Sequence, residues 1–451
     1  MKRREFFKQA AVSCSTLFST PMIIPTGILG ANAPSNRINM GFIGLGGMGT
    51  NNLRGFLNNR DVQALAVCDV ERASNLYGHW YQNGWNGNWF GRESAQNIVN
   101  DFYSARLRSG VYKGCEAYND FRDLLAREDI DAVCISTPDH WHAIPVIMAA
   151  KKGLDIYCEK PLSLTVEEGR AMVNAVSRSG IIFQTGSHHR SNDLNRHACE
   201  LVRNGRIGHV KKAITTLPRH RKHMDIPTWE KMPVPDGFDY DLWLGPAPLA
   251  PYHELRCLYQ FRFMQDYSGG ETTNTGAHWF DLIQWALGTE ETGPVTVEDL
   301  GSAFPTSGLY DVVSSIHFKA TYINDAELHC IPNISMNGAV RIEGTEGWIE
   351  FGRGRLITVP QSAAGSVIGP DEQRLYQSND HKRNFLNCVR SRGIPIASVE
   401  IGHRSASVCH IANIAMKMGK KLQWNPDTEQ FVGDDAANQL LSKPLRAPWR
   451  L

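Results

Sequence analysis

Apolar residues follow two rhythms along this chain. Up to Thr185, short apolar runs alternate with segments whose apolar residues recur every three or four positions. The runs are Ile38 to Ile43, Val62 to Cys68, Ile130 to Ser136, Leu154 to Cys158 and Ile181 to Thr185. Between them lie helical patterns ending at Leu57, and at Asn119 to Ala126, Ala143 to Lys152 and Val166 to Ser179. Strands alternating with helices predict a parallel, doubly wound sheet. The second half reads differently. Val210 to Thr216, Val312 to Thr321, Ala339 to Gly344 and Trp348 to Phe351 are strand candidates, and several alternate apolar with polar residues as half-buried strands do. Helices are expected at Leu194 to Asn204, Trp279 to Leu287, His381 to Ser391 and Gly402 to Met418. Between Pro218 and Gly270 the chain is rich in Pro, Trp and charge and predicts no regular elements.

The first strand runs straight into Gly44-x-Gly46-x-x-Gly49, and the second ends on Asp69, twenty positions after the last glycine. Strand, glycine turn, helix, strand and acid in this order form the dinucleotide-binding fingerprint. Gly44 permits the tight turn, Gly46 lets the backbone approach a pyrophosphate, and Gly49 lets the helix pack closely on the strand. The pyrophosphate then lies at a helix N-terminus, where unpaired N–H groups favour an anion. Asp69 is placed to accept hydrogen bonds from the adenosine ribose and to repel a 2′-phosphate, which favours NAD; the nearby Arg72 keeps NADP open. Ligands of such sheets bind beyond the carboxyl ends of the strands, where Gly46, Pro138 and Lys160 all fall.

Length and charge narrow the picture. At 451 residues the chain exceeds what one core usually holds, so two domains are expected. A formal charge of +1 gives no basic footprint and argues against nucleic acid as a partner. Ahead of the first strand, Lys2-Arg3-Arg4-Glu5-Phe6-Phe7-Lys8, a weakly apolar stretch and Ala31-Asn32-Ala33 fit a twin-arginine export signal with its cleavage site, an inert basic tail being the alternative. Its Ser and Thr residues and Pro21 and Pro25 make it a poor membrane span. The expected division is residues 1–33 as signal, 34–187 as dinucleotide-binding domain and 188–451 as second domain, in a protein delivered to the periplasm by the twin-arginine machinery. That space offers little NAD. The cofactor should therefore be held through many turnovers, at a dissociation constant of about nanomolar, roughly 12 kcal/mol of binding.

The ten cysteines show no CxxC pair, and Cys68, Cys134 and Cys158 lie in apolar strand-like runs. Buried free thiols are expected rather than disulfides or a zinc site, and no metal ligand set is predicted. The stretch from His79 to Gly91, with Trp80, Trp85, Trp89 and Phe90 among glycines and asparagines, reads as a lid, a sugar-stacking platform, a packed surface loop or a subunit contact.

Gly44-x-Gly46-x-x-Gly49, Thr137-Pro138-x-x-x-His142 and Glu159-Lys160-Pro161 together resemble the glucose–fructose oxidoreductase, inositol dehydrogenase and rhizopine catabolism family, Gfo/Idh/MocA. The resemblance continues through Gln184 to Arg190, Trp243 to Pro248, Asp266 to Gly270, Gly276 to Asp281 and Arg446 to Trp449, nearly the whole mature chain, and is to the exported bacterial branch. It implies a second domain built on a large, mostly antiparallel sheet, a homo-oligomer associating through that sheet's open face, and a sugar, polyol or sugar derivative as substrate. The implied cofactor-binding set is Gly44, Leu45, Gly46, Gly47, Met48, Gly49, Asp69, Thr137, Pro138, His142, Glu159 and Lys160. The resemblance places Lys160 beside the nicotinamide, joined by Asn274 and His278 from the second domain. Four residues apart on a helix, those two share one face. His278 is the candidate base and Lys160 the group that polarises the substrate oxygen. Asn274 departs from the family, which usually places Asp there; without that carboxylate His278 should more readily stay neutral. His188, Arg190 and Tyr267 are expected sugar contacts, Asp281 lies outside the chemistry, and Arg219-His220-Arg221-Lys222-His223 meets an anionic sugar or solvent.

Three functions follow. The leading one is an exported NAD-dependent oxidoreductase that interconverts a hydroxyl and a ketone of a sugar or polyol. The second is a redox-neutral NAD-dependent glycoside hydrolase or lyase, and the third a non-catalytic NAD and carbohydrate-binding protein.

Overall fold

The computed structural model describes residues 36–76, 88–218 and 228–451. The expected export signal, most of the aromatic stretch and the basic run from Arg219 to His223 lie outside the described residues.

The first half builds the sheet that the pattern predicts. In chain order come β1 (Ile38–Ile43), α1 (Gly47–Leu57), β2 (Val62–Cys68), α2 (Arg92–Ser104), β3 (Glu116–Tyr118), α3 (Phe121–Leu125), β4 (Ala132–Ile135), α4 (Ala143–Lys151), β5 (Asp155–Cys158), α5 (Val166–Ser179) and β6 (Phe183–Thr185). The six strands are parallel in the order β3-β2-β1-β4-β5-β6, so the order of winding reverses between β1 and β4. Helix boundaries follow local chemistry. The Thr165 side chain accepts from the Glu168 N–H to start α5, and Gly180 in the left-handed region (φ +62°) stops it.

The second half contributes α6 (Asp193–Arg203), β7 (Val210–Thr215), α7 (Tyr240–Leu244), α8 (Glu271–Asn274), α9 (Gly276–Leu287), β8 (Thr296–Asp299), β9 (Phe318–Thr321), β10 (Glu327–Cys330), β11 (Val340–Gly344), β12 (Trp348–Gly352), β13 (Arg355–Val359), α10 (His381–Ser391), α11 (Val399–Met418), β14 (Lys421–Asn425) and β15 (Gln430–Phe431). Its strands form a nine-stranded sheet, β13-β12-β11-β7-β10-β9-β8-β14-β15, antiparallel except where β7 meets β10. Helices α6, α9 and α11 cover one face and bury Leu201, Phe280, Ile283 and Ile411 against Leu328, Ile342 and Phe351. The other face is charged: Lys319 bridges Glu298 and Glu327 across β8, β9 and β10.

The two sheets are tied by elements from the far end of the chain. Phe385 of α10 is fully buried and packs edge-on to Phe56 of α1 and Tyr157 of β5, 6.1 and 5.9 Å between ring centroids. Val399 and Ala406 of α11 join the core beneath α4 and α5. The expected strand from Val312 is regular only from Phe318; before it, Val312 enters the aromatic cluster around Trp243 and Val313 the core of the second sheet. All nine described cysteines are free and buried.

Candidate active site

A cavity of about 370 Å³ opens beyond the carboxyl ends of β1, β2, β4 and β5 and is closed by the start of α9 and residues 258–262. One end is the glycine turn. Gly44 has φ +83°, and a Cβ there would stand 2.6 Å from the Thr137 nitrogen; a Cβ on Gly49 would stand 1.8 Å from the Gly44 oxygen. No side chain fits either position, so strand, turn and α1 close around a bare backbone. Gly46, Gly47 and Met48 line the cavity with them. Leu45 does not: its side chain is wholly buried, and only its N–H takes part, donating to Asp69.

Asp69 lines the cavity where the ribose would lie. It also accepts from the Glu71 N–H at 2.8 Å, and burial raises its pKa against those two backbone donors. Burial and the Asp69 charge push the neighbouring Glu71 up to about 7. Arg72 is drawn off the cavity. Its N–H donates to the Gly237 oxygen at 2.9 Å and its guanidinium lies against Gly237. The bare turn, the helix N-terminus and the acid at the end of β2 together fit a dinucleotide.

At the other end, Lys160 Nζ donates to the Asn274 backbone oxygen at 2.9 Å and to its Oδ1 at 3.3 Å. Arg262 Nε donates to the same Oδ1 at 3.3 Å. Asn274 Nδ2 donates to Glu271 Oε1 at 3.0 Å, and Thr275 Oγ1 to Glu271 Oε2 at 2.6 Å. The carboxylate missing from position 274 is therefore present three residues earlier, one hydrogen bond behind. Asn274 ends α8 and His278 sits in α9, with a break at Thr275 rather than one continuous helix, yet both line the cavity. Burial lowers the Lys160 pKa and Arg262 adds to this, while Glu159, Asp139 and Glu271 oppose it. Burial, then the charge of Lys160, holds His278 well below the usual imidazole range. His278 is thus a neutral base on the cavity wall that Lys160 Nζ, a hydrogen-bond donor, also lines.

The supporting layer explains other expected residues. Glu159 lines the cavity, its Oε1 accepting from Asn52 Nδ2 at 2.9 Å and its Oε2 from the Lys160 N–H at 3.2 Å. Thr137 and Pro138 line it as expected. His142 does not. It is buried, its ring nitrogens 2.7 Å from the Pro161 oxygen and 2.9 Å from the Thr137 oxygen, so it ties the two loops together from behind.

Two expected sugar contacts are corrected. Arg190 is fully buried and forks onto Asp281, with Nε 2.8 Å from Oδ2 and Nη2 2.8 Å from Oδ1; Ser405 Oγ donates to the same carboxylate. Tyr267 is fully buried, its ring 5.1 Å from His140 and 4.9 Å from Trp243. Arg190 holds the second domain together, Tyr267 packs that domain onto His140 of the first, and neither lines the cavity. His188 does stand at the site, its ring 4.9 Å from that of His278.

The sequence reading missed Arg262, Asp139 and His189. Arg262 comes from the irregular segment, where nothing marks one charge above another. Asp139 lines the cavity, buried, with its pKa raised by burial and its Oδ2 accepting from Ser268 Oγ at 2.5 Å. His189 packs between His188 and His278, 4.4 and 4.8 Å from their rings.

Comparison with known proteins agrees with this geometry. Residues 92–187 match the family model of the oxidoreductase family's NAD-binding Rossmann fold, and residues 219–451, just over half the chain, match its C-terminal alpha/beta domain. The chain belongs to the Gfo/Idh/MocA oxidoreductase family. Among curated members, it is 29% identical over 166 residues to a 2,7-anhydro-N-acetylneuraminate hydratase of Mediterraneibacter gnavus, covering 36% of this chain and 41% of that one. A glycosyl hydrolase family 109 protein of Shewanella sp. strain MR-4 is 32% identical over 153 residues, 34% of this chain and 29% of its own. The matches thus span less than half the length of these Gfo/Idh/MocA relatives. The aldose-aldose oxidoreductase of Caulobacter crescentus, solved with glycerol, superposes with a TM-score of 0.57 at 18% identity, over 86% of this chain and 99% of that one, and shares the fold.

Proposed function

We propose that this Gfo/Idh/MocA protein is an NAD-dependent oxidoreductase that interconverts a secondary hydroxyl and a ketone on a sugar, polyol or sugar derivative. The observation that carries the reading is Lys160 beside a neutral, half-buried His278 at one end of a cavity whose other end is the bare glycine turn and Asp69. Gly44, Gly46, Gly47, Gly49 and Asp69 hold the dinucleotide. When bound, its nicotinamide supplies a hydride acceptor or donor. His278 takes the hydroxyl proton as the C–H bond breaks, and Lys160 stabilises the alkoxide that develops. In the ketone direction His278 returns the proton. Such a base contributes roughly 10²- to 10⁴-fold in rate. Asp69 and Glu71 at the ribose end, with Arg72 turned to Gly237, favour NAD over NADP.

Lys160→Met tests the assignment. It is expected to lower kcat by roughly 10²- to 10⁴-fold while dinucleotide content is unchanged; unchanged turnover would refute it.

A second reading has its own support in the hydratase and glycosyl hydrolase relatives: a redox-neutral cycle in which a transient ketone acidifies the neighbouring C–H, a substituent is eliminated, water adds and the ketone is reduced again. The same proton at His278 serves both routes. Export through residues 1–33, a periplasmic location, a tightly held cofactor and a homo-oligomer through the charged open face of the large sheet complete the proposal. Sedimentation of the full chain measures the last of these.

A further inference from the structure

Histidines fall into two groups in this fold. The buried structural ones have carbonyl, carboxylate or hydroxyl partners. His142 and His381 use both ring nitrogens, His140 faces the Trp243 oxygen, His403 faces Glu429 and His410 the Ser163 oxygen. His188, His189 and His278 instead face one another, and Nδ1 of His278 is buried without a partner, as are those of His140 and His403. Their ring centroids lie 4.4 to 4.9 Å apart, and one nitrogen from each stands within 4.8 Å of the others.

We propose that His188, His189 and His278 form a three-imidazole site for a divalent first-row cation of the kind typified by Zn²⁺. Bonds of about 2.0–2.1 Å in a tetrahedron set nitrogens roughly 3.4 Å apart, so small side-chain rotations close the site and leave a fourth position open. Imidazole donors select Zn²⁺, Co²⁺ or Ni²⁺ over Mg²⁺ and Ca²⁺. The residues come from two places that folding alone brings together. His188 and His189 lie in the turn after β6, anchored by Asn195 Nδ2 donating to the His189 oxygen at 3.0 Å, and His278 lies on α9. Because His278 also lines the reaction cavity, an ion on this trio stands at its wall and takes a basic nitrogen of His278. Cation and substrate proton then compete for that imidazole.

The inference goes beyond the proposed reaction and does not depend on it. The test uses the full chain, stripped with a chelator and re-exposed to Zn²⁺, Co²⁺ or Mg²⁺. Elemental analysis reads stoichiometry and competition with a chromophoric chelator reads affinity. Expected are one Zn²⁺ or Co²⁺ per chain, a visible spectrum of low-symmetry Co²⁺, no retained Mg²⁺, and a loss of affinity of ~10-fold or more in both His188→Gln and His189→Gln. Melting of the stripped variants shows that they are folded. No stoichiometric binding by wild type, or binding that both variants retain in full, overturns the proposal. Because metal content is read apart from turnover, either result leaves the oxidoreductase assignment to its own test.

Discussion

At the scale of single residues, the exchange of Asp for Asn at 274 is the most informative feature. Its Oδ1 accepts from both Lys160 and Arg262, and its Nδ2 passes the contact on to Glu271. Asn274→Asp would place a full negative charge against Lys160 and near His278, and a carboxylate favours the protonated form of a neighbouring base. The pKa of His278 then rises, so the acidic limb of the pH–rate profile is expected to move to higher pH. A profile that stays in place would contradict His278 as the base. If wild type turned over no sugar while this variant did, the active-enzyme reading would fail with it. Arg190 makes a different point. Its replacement by Ala strands a buried Asp281 carboxylate, which costs about 3–5 kcal/mol. A lower melting temperature with an unchanged KM is expected, where a sugar contact would instead raise KM.

At the scale of elements, five of the six parallel strands were legible because each is a short, continuous apolar run, whereas β3, three partly exposed residues beginning with Glu116, left no such run. Helix α5 and helix α10 have the bounds read from the pattern, since Thr165 and Asp380 provide N-caps that sequence can recognise. The strands β8 and β10 were not legible. Each has four residues with one or two fully inward positions, too few to establish an alternation. Helix α2 escaped because it buries only Ala95, Val99 and Tyr103. In the site, residues fixed by local chemistry were found from sequence, whereas Arg262, Asp139 and His189 needed the chain to be folded before their neighbours were known. Arg190 and Tyr267 were misread because a polar residue near a motif looks the same in sequence whether it meets ligand or another buried residue. The glycine turn makes its own prediction. Gly49→Ala puts a methyl 1.8 Å from the Gly44 oxygen, so α1 must move off the turn. Purified protein should then carry little or no dinucleotide and melt lower; full retention would show that the turn is not the cradle.

At the scale of the whole molecule, the buried histidines make stability depend on pH. Burial pushes His140, His381 and His410 down to about 3. In the unfolded chain they titrate at about 6.5, so below that pH the unfolded state binds protons that the folded state excludes. Stability is full above about 6.5 and falls as pH is lowered towards about 3, each group contributing up to about 1.4 kcal/mol per pH unit. Glu429 adds a second, more acidic loss. Burial raises its pKa, but hydrogen bonds from His403 and Arg170 outweigh that and hold it at about 2. Its contribution is present above about pH 4.3 and disappears as pH falls through about 2. Calorimetry should find a lower melting temperature at pH 5 than at pH 7; equal values would mean that these imidazoles are not buried neutral.

The central claim concerns the pairing of a retained dinucleotide with the base at His278. The most direct measurement takes the protein purified without added cofactor, identifies any dinucleotide released on denaturation, and follows 340 nm absorbance and product release from the intact protein across a panel of sugars and glycosides. Expected is bound NAD that a sugar reduces, or, in the redox-neutral form, bound NAD with glycoside cleavage and no net reduction. Protein that retains no dinucleotide and transforms no member of the panel would contradict it.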